Sequence, residues 1–144
     1  MLRNLTFLFV AGAIALGIGY ANQSTVRTIL SVPKTPANSG KLMYQSYCAP
    51  CHGANARGNG PMAASLKEQP ADLAMLSRKN GGKYPTMHVM AVLQFGANVS
   101  ARGMDQMPVW GPVLARLDGP STPSETRDLR INNLSRYLKS IQVQ

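Results

Sequence analysis

Apolar residues recur at helical spacing in four segments of the chain, and loops rich in Gly and Pro separate these segments. This spacing places the apolar side chains on one face of a helix. We find no convincing pair of segments with the alternation of two that is typical of strands. The pattern therefore predicts an all-α fold. The predicted helices cover residues 39–47, 70–80 and 86–95, and a fourth follows the Thr-Pro-Ser-Glu sequence at 122–125.

The sequence also marks the ends of these helices. Asp72 lies in the first turn of the second helix and Gly81 ends it, because acidic residues favour helix N-termini and Gly terminates helices. The third helix ends at Gly96. The Thr-Pro-Ser-Glu sequence is typical of a capping box with Pro at the first helical position. The inward residues of the third and fourth helices are Val89, Val92, Leu93, Leu134, Tyr137, Leu138 and Ile141.

The N-terminus has the order of a secretory leader. Arg3 precedes an uncharged apolar run over residues 5–20, and the small residues Gly19 and Ala21 permit cleavage after residue 21. The run is shorter than the roughly 20 apolar residues of a membrane span. Residues 1–21 are therefore expected to be a signal peptide, or else an uncleaved membrane anchor. Either interpretation places the rest of the chain in the periplasm or on the outer face of the cytoplasmic membrane.

Residues 22–38 are polar, contain two prolines and show no sustained periodicity, which predicts a linker. Residues 39–144 then form one small domain. A domain of this length has a marginal core unless something fills it or staples it.

The sequence Cys48-Ala49-Pro50-Cys51-His52 has the CXXCH spacing. At this spacing two thiols can bond covalently to one haem while the following histidine binds its iron. The chain contains only these 2 cysteines. The motif therefore predicts one covalently bound haem c, attached through Cys48 and Cys51, with His52 as an axial iron ligand.

Two other interpretations of the cysteine pair are weaker. A dithiol redox centre of the thioredoxin type requires a βαβ pattern, and the flanking sequence is helical and rich in Gly. A structural zinc site requires four ligands. Cys48, Cys51 and His52 supply three and need a distant partner.

Several motifs together resemble the bacterial class I c-type cytochromes with one His/Met-ligated haem. The resemblance covers about Gly40 to Gln142, and its two ends are the most specific parts. It implies a small helical fold around the haem, with the first and last helices crossing at right angles. The matching positions are Gly40, Tyr44, the Cys-Ala-Pro-Cys-His-Gly sequence at 48–53, Gly60-Pro61, the Pro-Ala-Asp-Leu sequence at 70–73, the Met-Pro-Val-Trp-Gly sequence at 107–111, and Leu134, Tyr137 and Leu138.

Met107 is the candidate for the second axial ligand. It precedes Pro108, and a residue before proline is driven towards extended geometry, which suits a loop that crosses a haem face. A methionine thioether at this position favours ferrous iron. Met104 is the main rival. His88, the only other histidine, is predicted to be a polar position on its helix.

The resemblance also implies supporting roles. It makes Pro61 the residue whose carbonyl accepts a hydrogen bond from the second ring nitrogen of His52. Tyr84 and Trp110 are candidates for hydrogen bonds to the haem propionates. The alternative for both aromatic residues is a place in the ordinary core with a satisfied polar tip.

The excess of basic over acidic residues bears on which partner proteins the chain would bind. The chain carries 15 Lys and Arg against 6 Asp and Glu, a formal net charge of +9. Such a protein is steered to acidic docking surfaces, here of an oxidase, a cytochrome complex or a dehydrogenase, and Arg57, Lys67 and Arg102 are expected to rim the haem edge. Solubility alone is the alternative explanation. Nucleic acid is not an expected partner, since the basic residues are scattered along an exported chain.

These observations predict an electron carrier or electron-transfer subunit rather than an enzyme. The alternative is a peroxidase-like haem enzyme or a gas sensor with an open sixth iron site, in which Arg102 or His88 assists on the distal side. The Met107-Pro108 element favours the electron carrier.

Overall fold

Five helices and their connecting loops make up the part of the chain that the computed structural model describes, which is residues 32–97, 107–121 and 123–143. Within these ranges there is no strand, so the all-α prediction is confirmed for them. None of the helices there is both long and apolar enough to span a membrane. Outside these ranges lie the expected leader at 1–21, residues 22–31 of the expected linker, Arg102, Met104 and Thr122.

Helix α1 covers residues 40–52 and has three contiguous parts, the α-helical turn Gly40–Met43, a π-helical segment Tyr44–Cys48 and the α-helical turn Ala49–His52. A short 3-10 turn follows at Ala63–Ser65. A second 3-10 turn, Leu73–Met75, leads into α2 at Leu76–Lys79. The remaining helices are α3 at Thr86–Phe95, α4 at Trp110–Arg116 and α5 at Ser124–Ser140.

The helix starts follow the sequence signals, with two corrections. The hydroxyl of Ser39 caps α1 by accepting the backbone N–H of Leu42 at 3.3 Å. The carboxylate of Asp72 accepts the N–H of Ala74 at 3.0 Å, so Asp72 is an N-cap and the helical stretch begins after it, later than predicted. Pro123 likewise lies at the N-cap of α5, one position before the predicted one.

Helix α4 is absent from the sequence-based prediction. Its first turn contains Gly111 and Pro112, which read as helix breakers in a sequence. Proline is nevertheless tolerated in a first turn, where its missing N–H has no intrahelical partner. Gly111 has a packing role, because a Cβ atom there would lie 2.4 Å from the backbone oxygen of Gln94 in α3.

The first and last helices meet at a glycine. A Cβ atom on Gly40 would lie 2.1 Å from the backbone oxygen of Asn133 and 2.9 Å from Cβ of Tyr137, so only glycine allows α1 and α5 to approach this closely. One turn further along α1, the ring of Tyr44 lies 5.4 Å from the ring of Tyr137. Helix α5 also contacts α3 and α4, and Leu114, Ile131 and Leu134 are buried between these helices.

The segment before α1 packs against the same core. Residues 32–38, which the sequence assigned to the polar linker, belong to the compact unit that starts at Val32. The side chain of Arg130 in α5 is only 1% exposed and donates to the carbonyl oxygen of Thr35 at 2.7 Å and to the carboxylate of Asp118 at 2.6 Å. Asn133 donates to the carbonyl oxygen of Ala37 at 3.1 Å. These bonds tie the end of the expected linker to α5.

Gly40→Ala is expected to destabilise the fold. Overpacking costs about 1–3 kcal/mol, whereas replacing a helical glycine by alanine gains only about 0.5–1 kcal/mol. The clash with Asn133 therefore wins, and we expect a net loss of roughly 1–2 kcal/mol in the free energy of unfolding. Urea denaturation measures it. Gln45→Ala, at an exposed position of α1, is the control, and an equal effect of the two variants would contradict the close helix contact.

Asp118 should make stability depend on pH. The guanidinium of Arg130, helped by Lys34, holds the pKa of Asp118 below its usual value of 3.8. A carboxyl group whose pKa is lower in the folded than in the unfolded state stabilises the fold at pH values above the unfolded-state pKa. This stabilisation disappears as the pH falls through the folded-state pKa. Asp118→Asn should therefore lower Tm at neutral pH and weaken the acid dependence of Tm below about pH 4. Asp128→Asn removes the carboxylate of the more exposed Arg127 pair and should change Tm less; the reverse order would show that the Arg130–Asp118 pair is not the stronger one.

Candidate functional site

A cavity of about 240 Å³ lies between the end of α1, the segment 66–73, α3, the start of α4 and α5. Its walls are mostly apolar, as expected for a ligand site. All five helices contribute to its lining, α2 through Leu76, together with the segment 66–73 and the residues Met107 and Pro108 that precede α4. The apolar lining includes Leu73, Leu76, Val89, Val92, Leu93 and Leu138.

The structure brings the four principal candidates together. Cys48, Cys51, His52 and Met107 all line this cavity, although Met107 is far from the other three in sequence. Both cysteines are free. Burial, and to a smaller extent the neighbouring Cys51, raises the pKa of Cys48 to about 12. Cys48 is therefore a neutral thiol at pH 7, because burial disfavours the thiolate.

A loop folds around the end of α1 and satisfies its backbone carbonyls. The N–H groups of Gly58 and Gly60 donate to the carbonyls of His52 and Cys51 at 2.8 and 3.0 Å. The N–H of Met62 donates to the carbonyl of Pro50 at 2.9 Å. These are the acceptors that a helix C-terminus leaves without intrahelical partners. The loop therefore fixes the backbone of the CXXCH motif.

The same loop sets the position of the segment that faces His52. The carbonyl oxygen of Ala56 accepts the N–H of Leu73 at 2.7 Å. Two residues before Leu73, the carbonyl oxygen of Ala71 lies 2.9 Å from Nδ1 of His52. Since a carbonyl can only accept, Nδ1 carries the proton in the neutral ring and Nε2 keeps its lone pair. Burial lowers the pKa of His52, although the bond to Ala71 opposes this, and the imidazole is neutral at pH 7.

The carbonyl partner of His52 is thus Ala71 and not Pro61, which corrects the sequence-based expectation. Pro61 is exposed and lies between Gly60 and Met62, whose N–H groups bond to the outer carbonyls of the motif. This pairing holds Pro61 beside the helix end. Ala71 belongs to the Pro-Ala-Asp-Leu motif at 70–73, but the sequence does not reveal which carbonyl of that motif points towards His52.

The two aromatic candidates, Trp110 and Tyr84, differ in whether they line the cavity. Trp110 lines the cavity, and its ring stacks on Tyr47 with a centroid separation of 5.6 Å. Tyr84 is buried and does not line the cavity, and its hydroxyl donates to the carbonyl of Ser135 at 3.0 Å. Tyr84 is therefore the core residue with a satisfied polar tip, whereas Trp110 remains a candidate for the site. Sequence reasoning missed Tyr47, for which only its place next to Cys48 is a signal.

Polar residues lie at the open end of the cavity. Lys67, Glu68, Gln69 and His88 line it and are exposed, so they surround its mouth. Lys67 was expected near the rim, whereas Arg57 is not among the lining residues. Within the described ranges, no three side chains of the types His, Cys, Asp and Glu are grouped to hold a bare metal ion.

Comparison of the chain with protein-family models, curated proteins and solved structures finds no match.

Proposed function

We propose that the chain is a mono-haem c-type cytochrome that transfers single electrons between redox partners. The observation that carries the proposal is the convergence of Cys48, Cys51, His52 and Met107 on one apolar cavity. Two thiols at the CXXCH spacing, an imidazole and a thioether are the donor set of a covalently attached, His/Met-ligated haem. The resemblance of the sequence motifs to bacterial class I cytochromes c supports the same proposal.

The residues present fit such a group. A haem is a flat, largely apolar ring with two carboxylates at one edge, and the cavity has apolar walls with a polar mouth. Lys67 and His88 can donate hydrogen bonds to carboxylates there. When bound, the haem supplies a metal that changes reversibly between ferric and ferrous states.

Each chain residue then has a defined task. The thiols of Cys48 and Cys51 would hold the group covalently, each by adding its S–H across one vinyl group of the haem to give a thioether, and would prevent its loss from a small exported domain. His52 would bind the iron through Nε2, and the hydrogen bond from Nδ1 to the Ala71 carbonyl fixes the ring orientation and raises its basicity. The thioether of Met107, which lines the same cavity, would serve as the second iron ligand and would favour the ferrous state. The apolar walls exclude water, which also raises the reduction potential.

Location and partners follow from the same proposal. The leader-like pattern of residues 1–21 supports a location in the periplasm or on the outer face of the cytoplasmic membrane. The net charge of +9 favours an oxidase, cytochrome complex or dehydrogenase with an acidic docking surface. In this role the chain is a carrier or an electron-transfer subunit and not an enzyme.

The haem should be covalent and present once per chain, because the chain has a single pair of cysteines. Acidified acetone should leave the haem on the protein, and a pyridine haemochrome assay should give one haem per chain. Cys51→Ala should leave at most one thioether bond. Haem that extracts into the solvent, or a different stoichiometry, would overturn the proposal.

Met107→Ala should open the sixth iron position. We expect the variant to lose the weak near-infrared band of thioether-ligated ferric haem and to bind carbon monoxide when reduced, because its ligating sulfur is gone. Met90→Ala is the control, since Met90 packs against the core without lining the cavity. Carbon monoxide binding by the unaltered protein would favour the haem enzyme or gas sensor instead.

A further inference from the structure

We propose that residues 33–37, here called the N-terminal strap, support the cavity wall and hold Tyr47 in position beside the bound group. The proposal rests on the proposed function for the identity of that group. The strap itself does not line the cavity. It acts through one side chain, Tyr47, which makes Tyr47 and its partners in the strap positioning residues.

Tyr47 contacts the cavity with its ring and the strap with its hydroxyl. Its ring lines the cavity and stacks on Trp110. Its hydroxyl lies 2.5 Å from the carbonyl oxygen of Pro33 and 2.6 Å from Oγ1 of Thr35. The single phenolic proton goes to the Pro33 carbonyl, which can only accept, so Thr35 donates its own proton to the Tyr47 oxygen. The hydroxyl of Tyr47 is thus fully engaged by the strap.

The strap is in turn held by α5. Arg130 donates to the carbonyl of Thr35 at 2.7 Å, and its guanidinium is buried and paired with Asp118. Asn133 donates to the carbonyl of Ala37 at 3.1 Å. A chain of hydrogen bonds therefore runs from α5 through the strap to Tyr47, and stacking continues it to Trp110.

This arrangement has a functional consequence. Water at the wall of a haem site favours the more highly charged ferric state, because the apolar shell around a metal controls solvent access and reduction potential. With its hydroxyl bonds intact, Tyr47 has one fixed ring position against Trp110. Without them the ring gains freedom and the wall admits water. The strap should therefore raise the reduction potential of the protein.

Tyr84 provides a matched control. Tyr47 and Tyr84 are both 7% exposed, and both hydroxyls donate to a backbone carbonyl, that of Pro33 for Tyr47 and that of Ser135 for Tyr84. Only Tyr47 of this pair lines the cavity. Replacing each tyrosine by phenylalanine removes one buried hydroxyl in the same way, so a purely structural effect should appear in both variants.

The test compares the haem-loaded full chain with its Tyr47→Phe, Thr35→Val and Tyr84→Phe variants. One readout is the reduction potential from a spectroscopic redox titration. The other is the near-ultraviolet circular dichroism of Trp110, the chain's only tryptophan. We expect Tyr47→Phe and Thr35→Val to lower the potential and reduce the Trp110 signal. Tyr84→Phe should lower Tm without changing either readout.

Equal shifts in all three variants, or no shift in the two strap variants, would overturn the proposal. Failure of the proposed function is distinguishable from this outcome. If the unaltered chain holds no haem, the cytochrome assignment is lost, whereas the Trp110 signal still reports whether the strap fixes the stacked pair. A loss of that signal in Tyr47→Phe and Thr35→Val alone would then support the strap's structural role around a different ligand.

Discussion

The close approach of α1 and α5 at Gly40 is the constraint on which the rest of the structure depends. Because no side chain separates Gly40 from Asn133, the two helices pack backbone to backbone, and Tyr44 then meets Tyr137 one turn later. Helix α1 ends in the CXXCH motif, and α5 contributes Leu138 to the cavity wall. A contact at one end of α1 thereby fixes the position of Cys48, Cys51 and His52 at its other end.

Backbone hydrogen bonding continues this constraint into the site. The carbonyls at the end of α1 need partners, and the glycine-rich loop supplies them through Gly58 and Gly60. In the same loop, the carbonyl oxygen of Ala56 accepts the N–H of Leu73 at the start of the next helical stretch. This bond holds Ala71, two residues earlier, next to His52. The orientation of the imidazole is therefore a by-product of satisfying the polar backbone, and no charged side chain is required for it.

The sequence was sufficient for the features that depend on local rules. The periodicity of both helices and the glycine that ends α3 predicted α1 and α3, although α1 continues to His52 and not only to residue 47. The proline after Met107 identified a residue that does line the cavity. Features that depend on tertiary contacts were missed. Helix α4 was not predicted because Pro112 normally interrupts a helix, and it is tolerated here because it lies in the first turn. Arg130 reads as one more scattered surface charge, although its guanidinium is almost wholly buried. The carbonyl partner of His52 was misplaced because sequence order does not set carbonyl direction.

Arg130 also changes how the net charge should be interpreted. Its guanidinium is buried and paired with Asp118, and Lys34 pairs with the same carboxylate. These three groups, two cations and one anion, contribute only one positive charge to the formal net charge of +9, and Arg130 itself is not at the surface. Screening further confines the field of exposed charges to a Debye length of about 8 Å at physiological salt. Lys67 lines the cavity at its exposed end, while Arg136 and Lys139 on α5 do not line the cavity. Under the proposed electron-transfer function, the position of a charge relative to the mouth of the cavity therefore matters more for docking than the total charge.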